Sequence, residues 1–316
     1  MSAYDNLTRA EAVQYFSQQL KLQLTEEELA LPSLSTLQKI CRAYNAEVPF
    51  SSVRFLLTPV EERVVSSLDL IKEIGMTKSG GGCYELNVFL RWLLVAVGYD
   101  VKFLLGQING AVYNHSLLLI RLPDGKRYLV DAGALPMLNE NIMCLDFEGE
   151  VSPVYQQSLW HLRLERRQVN GEPGYVVKYH VNPNTEMHWK VEIDETNYAQ
   201  FIEFNLVERT IEELSAVRRA CFKDAKLSPI MDRIFVYRFP RGRFTLSAGT
   251  MYVYEDENRN RVMVPTKTRE EAVEQLRAHF GDFLSEETAN RAIDKYIENV
   301  GADKAFVAYI PKPVDE

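Results

Sequence analysis

The feature that most constrains this chain is a run of glycines directly before a cysteine and a long apolar segment. Residues 80–82 are all glycine and precede Cys83, and residues 86–97 are mostly apolar until Gly98. Glycine permits a sharp turn, and a glycine after the last apolar position is a common helix stop. The sequence therefore predicts a tight loop that enters a buried helix near Cys83.

A cysteine in that position has the surroundings of a nucleophile. The positive end of a helix stabilises the thiolate, which is the reactive form of cysteine. The backbone N–H groups of the glycines could also hold the oxyanion of a tetrahedral intermediate. A free cysteine is often simply a core residue, but a core position does not need a glycine loop. The pattern favours a reactive Cys83.

Two further residues complete a candidate catalytic triad. His115 opens an apolar strand predicted for residues 115–122, and Asp131 ends the next one, at residues 126–131. A Pro-Asp-Gly turn separates the two strands. The imidazole would take the thiol proton, and the carboxylate would fix the tautomer of the ring and favour its charged form. Cys83, His115 and Asp131 are therefore the predicted catalytic residues.

A phosphate-binding loop and purely structural roles are the other interpretations of these residues. A nucleotide phosphate loop needs Lys-Ser or Lys-Thr after the glycines, and neither follows here. Glu85 and Asn87 fall on the first turn of the predicted helix, where we expect them to support the loop through hydrogen bonds. His115 alone would more often be a core or turn histidine, and Asp131 alone a strand-end residue. Their combination with a loop cysteine carries the prediction.

Composition narrows the classes of function. The chain has 316 residues, a formal net charge of -8 and 46% hydrophobic residues, as in an ordinary globular protein. The acidic balance argues against a nucleic-acid surface, and no apolar run is long enough to span a bilayer. The four cysteines show no disulfide spacing and the five histidines form no ligand motif. We therefore expect a reducing, cytoplasmic location and no metal.

The pattern of apolar residues changes along the chain, which predicts three domains. Residues 1–98 look helical and carry the nucleophile. Residues 99–208 read as β-rich and carry the histidine and aspartate, with alternating strands at 175–181 and 187–193. Residues 209–316 mix helices and strands.

Local signals place helices in the first of these regions. Thr8 and Glu11 form a capping-box pattern for a first helix. Residues 34–44 are amphipathic. Another helix is predicted at residues 68–74, with Gly75 as its stop.

The motifs together resemble the arylamine N-acetyltransferases. The resemblance rests on Gly-Gly-x-Cys-x-Glu-x-Asn, a histidine before an apolar strand, and Leu-Val-Asp-x-Gly, in the same order. It implies an α+β fold: an N-terminal helical bundle, a middle antiparallel β-barrel and a C-terminal α/β lid around a cysteine-protease-like Cys-His-Asp core. It also implies acyl-coenzyme A as co-substrate, with no metal, and a small-molecule amine as acceptor.

The resemblance also assigns binding residues. Phe50, Tyr84 and Ala134 are placed near the amine acceptor. Ala134 stands where the family commonly has a phenylalanine, so we expect an enlarged pocket and a bulkier acceptor or acyl group. The residues assigned to the coenzyme are Gly133, Arg243, Thr245 and Ser247.

The chain departs from the family pattern in three places. Ser51 and Ser52 stand where the family usually has Glu-Asn, and Ser79 stands four residues before Cys83 where it usually has arginine. Both changes remove side chains that could brace the loop of the nucleophile. The stretch between residues 205 and 228 is also longer than the resemblance implies.

Three functions fit the predicted site. The first is an acyl-coenzyme A-dependent N-acyltransferase that passes an acyl group through the cysteine to an arylamine, an arylhydrazine or a related amine in a ping-pong reaction. The second is an amide synthase of the macrolactam-forming type, with a carrier-protein donor. The third is a cysteine hydrolase, in which water takes the acyl group. None of the three needs a nucleic acid or a membrane.

Overall fold

The computed structural model describes residues 7–108, 113–135, 140–185, 192–224, 227–228 and 230–306. Within these ranges helices come first, antiparallel strands follow, and the last part contains both. No helix in the described ranges is long and apolar enough to cross a membrane.

The first part of the chain supplies most of the helices. Those of the described residues are α1 (Arg9–Gln18), α2 (Glu26–Ala30), α3 (Leu34–Glu47), α4 (Val53–Leu57), α5 (Leu68–Thr77), α6 (Cys83–Ala96), α7 (Ile211–Lys223), α8 (Arg269–Phe280), α9 (Glu286–Val300) and α10 (Ala302–Ala305). The predicted capping box is confirmed: Thr8 accepts from the backbone of Glu11, and the Thr8 backbone donates to the Glu11 carboxylate at 2.7 Å.

Gly75 does not end α5, so that prediction was wrong. The helix continues to Thr77, and Lys78 follows it with a left-handed backbone (φ 55°). A Cβ on Gly75 would lie 2.3 Å from the ring of Phe89 in α6. The glycine therefore lets the two helices approach closely, and its role is packing rather than termination.

The strands form two antiparallel sheets. The strands of the described residues are β1 (Phe50–Ser51), β2 (Asp100–Ile108), β3 (His115–Arg121), β4 (Arg127–Val130), β5 (Met143–Cys144), β6 (Tyr155–Gln157), β7 (Trp160–Val169), β8 (Glu172–His180), β9 (Tyr198–Asn205), β10 (Phe235–Arg238), β11 (Thr245–Ala248), β12 (Met251–Glu255) and β13 (Arg261–Pro265). The larger sheet has eight strands in the order β5-β4-β3-β2-β9-β8-β7-β6.

The eight-stranded sheet curls until its edge strands approach each other. The backbone N–H of Cys144 in β5 donates to the hydroxyl of Tyr155 in β6 at 3.2 Å. The side-chain amide of Asn141 donates to the carbonyl of Gln156 at 2.6 Å. The result is a nearly closed antiparallel barrel, which confirms the predicted β-rich middle region.

One predicted hairpin differs from the structure. The strand predicted at 175–181 is part of β8, which pairs with β7 and β9. The partner predicted at 187–193 lies almost entirely outside the described residues. The real partner, β9, begins at Tyr198, beyond that stretch.

The second sheet joins two distant parts of the chain. It has the order β1-β10-β11-β12-β13, and β1 comes from the helical N-terminal region. Phe50 pairs with Tyr237, and Ser51 pairs with Val236. This contact fixes the start of the chain against its last third. The three-domain division at 1–98, 99–208 and 209–316 stays a prediction.

Helix α6 lies within the largest hydrophobic cluster. Phe89 and Trp92 are buried between the other N-terminal helices and the barrel. Phe280 and Ile293, from α8 and α9, belong to a second cluster beneath the five-stranded sheet. The helical N-terminus and the antiparallel sheets are thus confirmed. The lid role of the last region is not tested by these contacts.

Candidate active site

Cys83 is the first residue of α6, as the glycine loop predicts. Gly82 precedes it with an extended backbone (φ -82°, ψ -178°) and serves as the N-cap. The N–H groups of a first helical turn have no partner within the helix, so Cys83 lies beside free donors at the positive end of the helix dipole. Cys83 is partly exposed, whereas Tyr84 and Glu85 beside it are buried. The nucleophile candidate is therefore accessible on a rigid support.

The barrel brings His115 and Asp131 together. His115 begins β3, Asp131 directly follows β4, and Leu118 pairs with Val130 between them. Because the strands are antiparallel, both polar residues lie at the same end of this ladder. His115 Nε2 lies 2.6 Å from Asp131 Oδ2, and both side chains are buried. The carboxylate can therefore fix the tautomer of the ring.

Asn87 holds this pair in place from α6. Its side-chain amide donates to Asp131 Oδ1 at 2.9 Å and to the Ser116 carbonyl at 2.8 Å. Its side-chain oxygen accepts from the Ala132 backbone at 2.9 Å. The helix that begins at Cys83 is thereby tied to both strands that supply the other two residues.

The charges at the site favour a thiolate beside an imidazolium. Burial alone would raise the pKa of the Cys83 thiol, but the charge and hydrogen bond of His115 and the charge of Arg218 together lower it. Burial alone would lower the pKa of His115, but Asp131 and Cys83 raise it well above its ordinary value. Each group thus stabilises the charged form of the other, as a nucleophilic cysteine requires.

The other cysteines do not share these surroundings. Burial raises the pKa of Cys41 well above the ordinary value. Burial and the neighbouring Cys83 raise the pKa of Cys221 to about 11. Cys144 is partly exposed but lies in strand β5 and not at the start of a helix. Reactivity is therefore expected at Cys83.

Two residues that follow Asp131 line the same loop. The Gly133 backbone donates to Asp131 Oδ1 at 2.7 Å. A Cβ on Gly133 would lie 2.3 Å from Cys83 Cα, so only glycine fits against the nucleophile there. Ala134 follows and is buried. The structure thus places Gly133 in contact with Cys83 and Ala134 one residue further on.

The predicted acceptor residues lie on two sides of the loop. Ser51 donates its backbone N–H to the Gly81 carbonyl at 3.0 Å, which places Phe50 beside the glycine loop. The Phe50 ring stacks on Tyr237, with centroids 4.8 Å apart. Tyr84 is buried, and its hydroxyl pairs with Ser215 in α7 at 2.9 Å.

Tyr237 is a site residue that the sequence did not indicate. Its side chain is buried, and its hydroxyl has no hydrogen-bond partner among the residues that the structure describes. Burial and the charges of Asp131 and Cys83 raise its pKa well above the ordinary value, so it stays a neutral donor. Only the pairing of β1 with β10 brings it to the site, and no local motif signals that pairing.

The residues assigned to the coenzyme lie in two places: Gly133 lies against Cys83, and the other three lie in or just before β11. Thr245 and Ser247 are buried in β11, and the Thr245 hydroxyl donates to that of Tyr252 at 2.9 Å. Arg243 precedes β11 and is exposed. Among the described residues, no group of His, Cys, Asp and Glu side chains could hold a metal ion.

Comparison with known proteins places the chain in a family. A family model described as N-acetyltransferase matches residues 33–288. The chain belongs to the arylamine N-acetyltransferase family.

Curated relatives match about a third of this chain. The chain is 34% identical to the arylamine N-acetyltransferase of Mycolicibacterium smegmatis over 113 residues, which is 32% of this chain and 40% of that protein. It is 32% identical to the proansamycin X synthase of Amycolatopsis mediterranei over 107 residues, 32% of this chain and 41% of that protein. The matched segments thus span about two fifths of these relatives.

Solved structures of arylamine N-acetyltransferases share the fold. The enzyme of Mycobacterium abscessus superposes with a TM-score of 0.73 at 17% identity, covering 93% of this chain and 96% of that one. The Mycobacterium marinum enzyme in complex with CoA superposes with a TM-score of 0.71 at 18% identity, covering 90% of this chain and 99% of that one. At this identity the likeness supports the fold.

Proposed function

We propose that this member of the arylamine N-acetyltransferase family transfers an acyl group from acyl-coenzyme A through Cys83 to an arylamine, an arylhydrazine or a related amine. The observation that carries the proposal is the arrangement of three side chains. A partly exposed thiol with a lowered pKa begins a helix, beside a buried imidazole that lies 2.6 Å from a buried carboxylate. This is the arrangement that activates a cysteine for acyl transfer.

In the first half-reaction the Cys83 thiolate attacks the thioester carbonyl. A bond forms between the carbonyl carbon and the Cys83 sulfur, and the bond from that carbon to the coenzyme A sulfur breaks. The His115 imidazolium gives its proton to the departing coenzyme A thiolate. The products are acyl-Cys83, neutral His115 and free coenzyme A.

In the second half-reaction an amine attacks acyl-Cys83. Neutral His115 takes the proton that the amine nitrogen loses, and the Cys83 thiolate leaves as the amide forms. Asp131 holds the ring in one tautomer and stabilises its charged form. The cycle ends with the same thiolate and imidazolium with which it began.

The donors for the oxyanion differ from those that the glycine loop first suggests. The Gly82 N–H donates to the Glu85 carboxylate at 3.0 Å, so it is not available to a substrate oxygen. The N–H of Cys83 lies on the first turn, where a helix leaves its donors unpaired. We propose this N–H as an oxyanion donor. For the coenzyme, the proposed contacts are Gly133, Arg243, Thr245 and Ser247.

Amide synthesis is a second candidate because of one relative. The proansamycin X synthase is 32% identical to this chain over 107 residues. Such a reaction would use the same acyl-cysteine but a different donor and an amine from the donor chain itself. Hydrolysis is a third candidate, since water could also take the acyl group.

Whether the acyl group passes to an amine or to water distinguishes acyl transfer from hydrolysis. With acetyl-coenzyme A alone, release of free thiol should stop after about one equivalent per enzyme, because the acyl-cysteine has no acceptor. Adding an arylamine should restore continuous release and give one amide per thiol released. The measurement is thiol release by absorbance together with amide formation by chromatography. Continuous thiol release without amine would indicate a hydrolase instead.

The size of the acceptor pocket gives a second prediction. Ala134 is buried one residue after Gly133, which contacts Cys83. An Ala134→Phe variant should fill space near the sulfur and shift preference toward small arylamines by about tenfold in the ratio of kcat/KM values. The measurement compares a small aniline with a bulkier amine, in wild type and variant, with thermal unfolding as a check on packing.

A wild type that already prefers the small aniline, with a ratio that Ala134→Phe leaves unchanged, would contradict the enlarged pocket. Ala134→Val serves as a matched control because it adds less volume at the same position. It should move the ratio in the same direction by a smaller factor.

A further inference from the structure

A buried carboxylate lies directly beneath the nucleophile loop. Glu85 is two residues after Cys83 in α6, and its side chain is fully buried. One of its oxygens accepts from the Gly82 N–H at 3.0 Å, and the other accepts from the Ser66 hydroxyl at 2.8 Å. A buried charge of this kind needs an opposite charge nearby. Its partners determine whether the loop keeps its shape.

The main partner comes from α7. Arg218 Nη2 donates to Glu85 Oε2 at 3.0 Å, and the side chain of Arg218 is only 6% exposed. Its guanidinium lies over the rings of Phe55 at 4.4 Å and Phe222 at 4.8 Å, which fixes its plane. A Cβ on Gly82 would lie 2.6 Å from Arg218 Nη2. The cation therefore lies against the backbone that immediately precedes the nucleophile.

A second arginine makes the cluster positive. Arg54 Nη2 lies 3.5 Å from Glu85 Oε1 and donates to the Ser66 hydroxyl at 2.6 Å. Its side chain is 36% exposed, so it is held less tightly than Arg218. Two guanidiniums and one carboxylate leave a surplus positive charge beside a cysteine that must be a thiolate to react.

The two positions where the family usually has bracing side chains, Ser79 and Ser51-Ser52, do not supply a charge near Cys83. Ser79, four residues before Cys83, is exposed and its hydroxyl contacts only Thr77 among the hydrogen bonds of the described residues. Ser52 binds the backbone of Arg233 and Phe235 rather than the glycine loop. Neither position supplies a charge to the loop. The buried cation is provided by Arg218 in α7.

We propose that Arg218 is a positioning residue of the acyl-transfer site: paired with Glu85, it anchors the backbone before Cys83 and supplies a fixed positive charge beside the thiolate. The proposal rests on Cys83 being the nucleophile of the proposed function. It assigns to α7 a part in the site that the motif around Cys83 does not contain.

The test is the pH dependence of Cys83 alkylation by iodoacetamide, which needs no acyl donor. The titratable and charged groups around Cys83 and Glu85, other than Arg218, stay unchanged in each variant: His115 in β3, Asp131 after β4, Cys221 in α7, Tyr237 in β10, Arg54 in α4 and Glu85 in α6. An Arg218→Gln variant should move the midpoint of the rate curve up by about one pH unit, a tenfold loss of rate below the midpoint. Circular dichroism establishes that the variant is folded.

Two further variants make the result specific. Arg219→Gln removes an exposed arginine from the next position of α7 and should leave the midpoint unchanged. Arg218→Lys keeps the charge but not the planar fork, so it should keep the midpoint while lowering kcat/KM for acyl transfer. Should Arg218→Gln fail to fold, the kcat/KM of Arg218→Lys decides the question, because a residue without a positioning role would leave it unchanged.

A folded Arg218→Gln protein whose rate curve overlays that of wild type would overturn the proposal. So would an Arg219→Gln shift of equal size, or an Arg218→Lys midpoint displaced by a full unit. Because alkylation reports only on the thiol, these outcomes are independent of whether acyl-coenzyme A is the donor. An enzyme that alkylates as expected but takes no acyl group would contradict the proposed function and leave the role of Arg218 standing.

Discussion

Replacing His115 with alanine is expected to slow alkylation of Cys83 by on the order of 100-fold at about pH 6. Burial alone would raise the pKa of the Cys83 thiol, but the charged His115 ring beside it lowers that pKa overall. The wild-type thiolate therefore persists at a pH where an ordinary thiol is protonated. Without the ring the rate curve moves to higher pH, and the two curves should converge only in alkali. The measurement is the iodoacetamide rate across the pH range.

Asp131 extends this prediction to turnover. An Asp131→Asn protein should fold but lose roughly 10³- to 10⁴-fold of kcat, because an amide no longer holds the ring in the useful tautomer. For the His115→Ala variant, His161→Ala is the matched control, since His161 is exposed on β7. A His115→Ala rate curve that overlays wild type would show that the imidazole and the thiol do not act together.

Replacing Cys83 with alanine should abolish acyl transfer, with a loss of roughly 10⁵-fold or more in kcat. Cys41 and Cys221 are not expected to take its place, because burial raises the pKa values of their thiols. Cys144→Ala is the matched control, since Cys144 is the other partly exposed cysteine and should be dispensable. The measurement is steady-state amide formation by both variants at saturating donor.

Local sequence patterns predicted the positions of the three candidate residues in the fold, while their catalytic roles stay a prediction. A glycine loop before an apolar run places Cys83 at the start of α6, and strand ends place His115 and Asp131. Each of these positions depends on a few neighbouring residues whose turn and strand preferences agree. The hydrogen bond between His115 and Asp131 follows once β3 and β4 pair.

The parts that depend on distant pairing could not be predicted. Arg218 meets Glu85 across 133 positions, and in sequence it is one of two adjacent arginines on an amphipathic helix. Tyr237 reaches the site only because two short strands from distant parts of the chain pair. Register between distant strands is set by tertiary packing, which no local pattern encodes. The prediction that Gly75 ends its helix was wrong for the same reason, since the ring of Phe89, against which it packs, lies in another helix.

Acyl transfer through Cys83 is tested most directly by the mass of the protein after mixing with acetyl-coenzyme A in the absence of amine. Wild type should gain the mass of one acetyl group, and peptide mapping should place it on the peptide that contains Cys83. Adding an arylamine should remove that mass and release an equal amount of amide. An unmodified wild-type protein that nevertheless forms amide, or a Cys83→Ala protein that still gains the acetyl mass, would contradict acyl transfer through Cys83.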